Sequence, residues 1–435
     1  MKQLISVIAF WGITLQVAGQ KQASSFRDSI PFYFNEIRLA AEEYQALWNR
    51  NLYGAMLFVE PRTRELFANE PDTGGVLKPA GDIYVGILPD TENIANTAIN
   101  WSGKKWAMIM LPLPRDKEVR INLLAHELFH KAQPSLGFTL HNAENNHLDK
   151  ESGRIYLRLE LEALKKAVGS PTSQEQQEHL RNALAFRKYR RLLYSGADTT
   201  ENLLELNEGI AEFTGEIISG RDKKQAAAHF INGIDKFFGN PTFVRSFAYY
   251  TIPVYGYLLY KRNRDWNKEI TTSTDLTAYF MDAFNIRVPA DLETVTESIA
   301  GNYNGETIMK EEAIREEKRK KLVAGYRRRF IEQPHCEIQF EKVSISFDPR
   351  NIVPLEDKGS VYPNIRVTDA WGILTVEGGA LVAPGWDRIL VTNPTGADGK
   401  KITGDGWTLE LADGYTLEKD EESGNYKVAR TGNKP

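Results

Sequence analysis

The chain has 435 residues, and 42% of them are hydrophobic, which is enough to build one large domain and a smaller one. Its formal net charge is −4, so it lacks the basic excess of a nucleic-acid-binding protein, and we exclude that class of partner. Cys336 is the single cysteine of the sequence, which excludes an intrachain disulfide and leaves the core to hold the fold together.

The N-terminal segment has the pattern of a secretory signal peptide. Lys2 supplies a positive start, residues 5–17 form an apolar stretch, and Ala18 and Gly19 are small residues that suit a cleavage site. The apolar stretch is short for a bilayer span. We therefore predict a signal peptide at residues 1–19 and a secreted or periplasmic protein, with no membrane span and no lipid-attachment cysteine beside the cleavage site.

The pattern after the signal segment predicts an α+β protein with a predominantly helical domain, including a small N-terminal sheet, over residues 20–330. A helix is expected over residues 29–50, followed by strands over residues 82–88 and 105–113. Asp116 fits the N-cap of a helix over residues 117–132, which ends before Pro134. Further helical periodicity covers residues 151–168, 173–193, 200–218, 226–238, 243–260 and 306–330, with those at about 150–200 expected to be an insertion.

The C-terminal part of the sequence differs in character. Residues 306–330 are dense in Glu, Lys and Arg, which is typical of a solvated connecting helix. Beyond them, short runs of Val, Ile, Trp and Leu alternate with Gly, Asp and Asn turns. This pattern predicts a small all-β domain over residues 331–435.

The motif that carries chemistry is His126-Glu127-Leu128-Phe129-His130, an HExxH sequence on the predicted helix 117–132. Residues four apart lie on one helix face, one turn apart, so both imidazoles can reach a single metal ion. Glu127 lies about 100° around the helix, where it can act as a general base without ligating the metal. The pattern predicts zinc bound by His126 and His130.

A catalytic zinc site needs a third protein ligand. Glu208, 78 positions after His130 (208 − 130), is the preferred candidate, because Glu212 lies four residues later on the same helix face and can accept a hydrogen bond from a ligand histidine. The alternatives are His141 and His147, in an Asn-rich loop segment. Two further carboxylates, Glu160 and Glu162, are interpreted as charges on a helix face.

These two segments together resemble the gluzincin metallopeptidases, the group that includes thermolysin and the zinc aminopeptidases. The resemblance covers residues 126–130 and the Asn207-Glu208-Gly209-Ile210-Ala211-Glu212 segment, which is similar to the NEG-x-A segment of the aminopeptidase branch. The GxMEN-type motif of that branch is absent from the sequence, and Gln133 and Leu136 replace the glycine and histidine of the metzincin pattern. The resemblance implies a zincin-like fold for the catalytic domain.

The resemblance also implies a mechanism and the surroundings of the site. Glu127 deprotonates a water on zinc as it attacks a carbonyl, and a tyrosine or histidine downstream of the glutamate ligand stabilises the oxyanion. Tyr250 and Tyr255 are the candidates here, with aromatic core packing as the other interpretation. Gluzincins place a substrate-binding edge strand where residues 105–113 occur, and an ordinary core strand is the other interpretation of this segment. Three arginines could meet a substrate carboxylate, or could form surface ion pairs: Arg187, Arg190 and Arg191.

The sequence thus predicts a secreted zinc metallopeptidase acting on peptides or proteins. Two other interpretations stay open. One is a zinc-binding interaction protein without turnover, although an intact Glu127 is not needed for such a site. The other is a zinc amidase acting on a cell-wall fragment or another non-protein amide, with the C-terminal β domain as a glycan-binding module.

Overall fold

The computed structural model describes residues 7–9, 23–139, 141 and 143–431. They form two compact units. As far as they are described, the helical unit comprises Ile13–Leu88 and Asn96–Ala313, and the β unit comprises Met1–Gly12, Pro89–Ala95 and Ile314–Pro435. Within the predicted signal peptide, only the strand β1 (Val7–Ala9) is described. The rest of that segment lies outside the described residues, so the signal peptide stays a prediction.

The helical unit contains a six-stranded sheet near its N-terminal end. Its strands are β2 (Met56–Val59), β3 (Glu65–Ala68), β4 (Lys78–Ala80), β5 (Ile83–Ile87), β6 (Thr97–Trp101) and β7 (Lys104–Met110). Their order is β4-β5-β3-β2-β7-β6, and β7 pairs in parallel with β2 and antiparallel with β6. The strand before the HExxH helix is therefore an inner strand. Of the two interpretations of residues 105–113, the edge strand is wrong and the core strand is confirmed, because β6 covers that side of β7.

Most of the other described residues of this unit are helical, and the last helix continues into the β unit. They are α1 (Ala23–Glu43), α2 (Lys117–Ala132), α3 (Glu151–Gly169), α4 (Ser173–Leu192), α5 (Ala197–Leu204), α6 (Ile210–Ile218), α7 (Lys223–Phe237), α8 (Ala248–Tyr260), α9 (Leu276–Ala283), α10 (Leu292–Ala300) and α11 (Gly305–Arg327). The continuous helix predicted over residues 200–218 is interrupted, since Glu205–Gly209 forms a single π-helical turn between α5 and α6. Such turns widen the backbone locally and are frequent at functional sites.

Helix α2 has the bounds that the sequence predicts. The Asp116 side chain accepts a hydrogen bond from the Val119 amide at 2.9 Å, which satisfies one of the free N–H groups at the helix start. Buried side chains of the helix, including Leu124 and Leu128, share one hydrophobic core with Phe58 of β2 and Ile109 of β7. This packing fixes the HExxH segment against the sheet.

Helix α11 is less solvated than its composition predicts. Glu312 is only 2% exposed. Its carboxylate accepts hydrogen bonds from Arg154 at 2.7 Å and from Arg158 at 2.8 Å, both on α3. The start of this helix is therefore tied into the helical unit by a buried ion-pair group, because a buried carboxylate needs charged partners.

The β unit contains two mainly antiparallel sheets of seven strands each. Its strands after β1 are β8 (His335–Gln339), β9 (Ser344–Phe347), β10 (Val353–Pro354), β11 (Ser360–Tyr362), β12 (Ile365–Asp369), β13 (Gly372–Val376), β14 (Ala380–Val382), β15 (Arg388–Thr392), β16 (Pro394–Asp398), β17 (Lys401–Gly404), β18 (Trp407–Leu411), β19 (Tyr415–Lys419) and β20 (Tyr426–Arg430). The orders are β1-β9-β12-β13-β18-β17-β16 and β10-β11-β14-β15-β8-β20-β19.

The architecture confirms the prediction at the level of fold class. The chain is mixed α and β, with a largely helical N-terminal region and an all-β C-terminal region. Among the helices that the structure describes, none combines the length and the apolar character needed to cross a membrane.

Candidate metal centre

Two helices bring the predicted metal ligands face to face. His126 and His130 lie one turn apart on α2, with their Nε2 atoms 2.9 Å from each other. Glu208, in the π-helical turn before α6, places Oε2 at 3.2 Å from the His130 Nε2 and 3.6 Å from the His126 Nε2. Three potential ligand atoms from two segments, distant in sequence, thus converge on one point.

The spacing of these atoms suits a small metal ion with tetrahedral coordination. Zinc–nitrogen bonds of about 2.0–2.1 Å at tetrahedral angles put neighbouring ligand atoms roughly 3.3 Å apart. The observed separations of 2.9, 3.2 and 3.6 Å bracket that value. Two imidazoles and a carboxylate are also a donor set that zinc accepts.

The hydrogen bonds of the two rings decide which nitrogen faces the centre. The His126 Nδ1 lies 2.8 Å from Glu212 Oε2, which can only accept. The His130 Nδ1 lies 2.7 Å from the Gln133 Oε1. Both Nδ1 atoms therefore carry the proton, and in the neutral rings both Nε2 lone pairs point toward each other, an arrangement that requires a cation or a proton between them.

Gln133 is a site residue that the sequence did not identify. Its side-chain amide is fully buried and donates from Nε2 to the backbone carbonyl of Asn207 at 2.8 Å. This bond leaves the Gln133 Oε1 to accept from His130. The glutamine therefore joins the end of α2 to the turn that carries Glu208, so one side chain orients both ligands.

Glu212 occupies the position that its i+4 spacing from Glu208 predicts. Burial opposes ionisation of Glu212, but the hydrogen bonds from His126 and from Asn122 outweigh it and hold the pKa of Glu212 below its ordinary value. The carboxylate is therefore ionised, and its bond to the His126 Nδ1 fixes the tautomer of that ring.

The centre is rich in negative charge. Burial disfavours a charged His126, yet the Glu208 and Glu212 carboxylates outweigh this effect and raise the pKa of His126 to about 10. Burial raises the pKa of Glu127, which is 4% exposed and has an Oε2 atom without a hydrogen-bond partner among the described residues. The carboxylates of Glu208 and Glu212 beside the two rings therefore favour a cation at this point.

Tyr249 is the aromatic residue that the structure brings to the centre. Its hydroxyl donates to the Glu208 Oε2 at 2.5 Å, and its ring stacks on His126 with 5.5 Å between centroids. Burial and the Glu208 charge raise the pKa of Tyr249 well above its ordinary value, so the phenol stays protonated. A close approach of α8 makes this contact possible, since a Cβ on Gly209 would lie 2.7 Å from the Ile252 Cβ.

The two tyrosines predicted at the centre lie elsewhere. Tyr250 is one residue on from Tyr249 and turns about 100° away, so its ring stacks on Phe237 at 4.5 Å. The Tyr255 hydroxyl donates to Glu160 at 3.1 Å, and its ring stacks on Phe280. Both rings therefore have the packing role that was the other interpretation of these tyrosines.

A sequence signal for Tyr249 does exist. Ile252 and Gly256 follow it at the three- and seven-residue spacing of one helix face. A Cβ on Gly256 would lie 2.8 Å from the Phe213 Cδ2, on α6. This small residue marks the face of α8 that packs toward the glutamate ligand.

The arginines predicted as substrate contacts or surface pairs are buried. Arg187 and Arg190 are fully buried and Arg191 is 9% exposed. Each bridges two carboxylates, drawn from Glu160, Glu201 and Glu205. Glu160 is therefore a buried partner of these arginines rather than a helix-face charge. This correction follows from the packing of α3 against α4.

The remaining candidates do not join the three ligand atoms. His147 lies 2.8 Å from Glu201, with which it forms an ion pair when protonated. Glu162, 8% exposed, pairs with Lys165 at 3.0 Å. His141 is exposed. Among the described residues, the group that can hold a metal consists of His126, His130 and Glu208.

Comparisons with protein-family models, with curated proteins and with solved structures found no match for this chain. The geometry of the centre therefore has to carry the functional interpretation.

Proposed function

We propose that this chain is a secreted or periplasmic zinc metallopeptidase of the gluzincin type, with a zincin-like catalytic domain. His126, His130 and Glu208 would hold the metal. The observation that carries the proposal is the convergence of two Nε2 lone pairs and a carboxylate oxygen, while both Nδ1 atoms are already bound elsewhere. Glu127, buried beside this group, distinguishes a hydrolytic centre from a purely structural zinc site.

When bound, zinc supplies a Lewis acid that polarises a substrate carbonyl and makes a water molecule more acidic. Glu127 moves the proton. Its carboxylate is a stronger base than an exposed glutamate because burial raises its pKa. It takes the proton of the attacking water and delivers it to the amide nitrogen as the carbon–nitrogen bond breaks.

Tyr249 replaces the predicted Tyr250 and Tyr255 as the hydrogen-bond donor of the proposed mechanism. Its phenol stays protonated, and its hydroxyl already lies at the Glu208 carboxylate. A protonated donor at this position can hold Glu208 in the resting enzyme and donate to the oxyanion that develops on the substrate.

The sheet offers a place for an extended substrate. Strand β6 is at the end of the described sheet and packs beside α2. An edge strand presents unpaired backbone groups, with which a peptide can form main-chain hydrogen bonds. We therefore propose a peptide or protein substrate that pairs with β6, in place of the inner strand β7.

The first test combines metal analysis with turnover of a proteome-derived peptide library. The mature protein should contain one zinc per chain, and Glu208→Ala should lose most of it. Glu127→Gln should retain the zinc and lose cleavage, because it keeps the shape but not the base. Glu118→Gln, in the first turn of the same helix, is the matched control and should behave as the parent protein.

Other outcomes would favour a different substrate or function. Zinc bound without cleavage of any peptide, and with release of products from cell-wall material, would favour a non-protein amide as substrate. Zinc bound with no turnover of either substrate would favour a binding protein. Zinc content unchanged in Glu208→Ala would refute the proposed ligand set.

A further inference from the structure

A row of hydrogen bonds continues beyond the metal ligands along the contact between α2 and α6. Asn122, His126 and His130 share one face of α2 at four-residue spacing. They face the π-helical turn and α6 in antiparallel order. His130 meets Glu208, His126 meets Glu212, and Asn122 also meets Glu212, donating from Nδ2 to Oε1 at 2.9 Å.

Asn122 has a single orientation that satisfies its neighbours. The Glu212 carboxylate only accepts hydrogen bonds, so it requires the amide nitrogen. The Arg221 guanidinium only donates, and its Nη1 lies 3.0 Å from the Asn122 Oδ1. The asparagine, which is 6% exposed, is thus held at both ends and presents a fixed donor to Glu212.

Arg221 is itself held in place. Its Nη1 donates to the Glu216 Oε2 at 2.9 Å and to the Ser219 Oγ at 2.9 Å. The other Glu216 oxygen lies 2.6 Å from the His229 Nε2, on α7. His229 is about a third exposed, so the row runs from the centre toward the surface.

The backbone is shaped to permit this contact. A Cβ on Gly215 would lie 2.6 Å from the Asn122 carbonyl oxygen and 2.8 Å from its Nδ2. Any side chain at this position would push α6 away from α2 at the turn where Asn122 reaches Glu212. The glycine therefore allows the two helices to approach closely enough for the hydrogen bond.

We infer that Asn122 and Arg221 are positioning residues for the metal centre, acting on the ligand His126 through Glu212. The Glu212 oxygen that faces Asn122 is fixed by the amide, which leaves the other oxygen aimed at the His126 Nδ1. Without Asn122, Glu212 can rotate, and the His126 ring loses the partner that directs its Nε2 to the centre. This inference rests on the proposed metal centre.

The test measures metal binding rather than turnover. The zinc dissociation constant is determined by competition with a chromophoric chelator, and the Co²⁺-substituted protein gives a visible spectrum that reports coordination geometry. Asn122→Leu keeps the side-chain size and removes both hydrogen bonds. Removal of outer partners of a metal ligand typically weakens affinity 10–100-fold, and we expect about tenfold because Asn122 is one step further out.

Further variants separate positioning from folding. Arg221 lies outside α2 and α6, and Arg221→Met should weaken zinc binding about threefold to tenfold. Arg221→Lys should have an affinity between those of the parent protein and Arg221→Met. Lys224→Ala, at an exposed position of α7 outside the row, serves as the control, with an unchanged dissociation constant and Co²⁺ spectrum. Thermal unfolding of the metal-free proteins identifies any variant that fails to fold. If Asn122→Leu fails to fold, the zinc affinities of Arg221→Met and Arg221→Lys test the inference.

The outcomes distinguish the inference from the proposed function. In one outcome the parent protein binds zinc through Glu208, and Asn122→Leu and Arg221→Met bind it equally tightly with the same Co²⁺ spectrum. This outcome overturns the positioning role and leaves the proposed function standing. A parent protein that binds zinc, is sensitive to both variants and cleaves no peptide supports the inference and refutes the peptidase. A parent protein that binds no zinc overturns both.

Discussion

A closed ring of buried charges in the helical unit can be tested by removing one carboxylate. Its members alternate in sign, and each touches two of the opposite sign: Glu160, Arg187, Glu205, Arg191, Glu201 and Arg190. All six are at most 9% exposed. Buried charge is tolerated here because three guanidinium groups balance three carboxylates.

Glu160→Gln should destabilise the metal-free protein severely. The Glu160 carboxylate accepts from Arg187 at 3.0 Å and from Arg190 at 2.6 Å, so its neutralisation leaves three buried cations with two carboxylates. Breaking a buried pair in this way costs about 3–5 kcal/mol. For a unit of this size, that corresponds to a fall in Tm of roughly 10 °C.

The assay is urea and thermal unfolding with chelator present, extended to a double-mutant cycle. Arg187→Met in the Glu160→Gln background restores charge balance, so the double variant should lose less than the sum of the single losses by about 2 kcal/mol. Glu162→Gln, on the same helix, is the control and should cost only about 1 kcal/mol, because its partner Lys165 keeps a second carboxylate, Asp235, and no cation is left unpaired. Two results would show that the charges of the ring do not depend on one another: additive losses of unfolding free energy in the double variant, or a loss in Glu160→Gln as small as in Glu162→Gln.

Three further predictions concern single groups. Tyr249→Phe should lower kcat/KM about 100-fold, the usual effect of losing one oxyanion donor, whereas Tyr250→Phe should leave it unchanged; equal effects of the two on hydrolysis would contradict the placement of Tyr249. Zinc binding at neutral pH should release a proton, because His126 with its pKa raised to about 10 is protonated in the metal-free centre and must lose that proton to ligate. The apparent affinity for zinc should therefore rise with pH up to about 10. Proton release is measured by calorimetry in buffers of different ionisation enthalpy, and a result of no release would contradict this prediction. Burial raises the pKa of Cys336 to about 12, so the thiol should react with a disulfide reagent only after unfolding; rapid reaction of the native protein would show that β8 opens.

Local geometry is what the sequence by itself determined about this protein. The HExxH spacing puts two histidines on one helix face whatever surrounds the helix, and the Asp116 cap sets where that helix begins. The same periodicity argument places Glu208 and Glu212 one turn apart. The change from helical to alternating patterns likewise separates the helical region from the all-β region, because hydrophobic periodicity is a property of each segment alone.

Where several residues of one element fit the same role, only the tertiary structure shows which of them has it. Tyr249, Tyr250 and Tyr255 all lie on one helix, and only the contact of α8 with the glutamate turn selects the first. The sequence gives no sign that Glu160 and the three arginines are buried together, because their ring closes only where α3, α4, α5 and the π-helical turn meet. The edge position of β6 depends on sheet order. In each case the deciding quantity is which segments pack together, and that is set by the whole core rather than by the spacing of residues within one element.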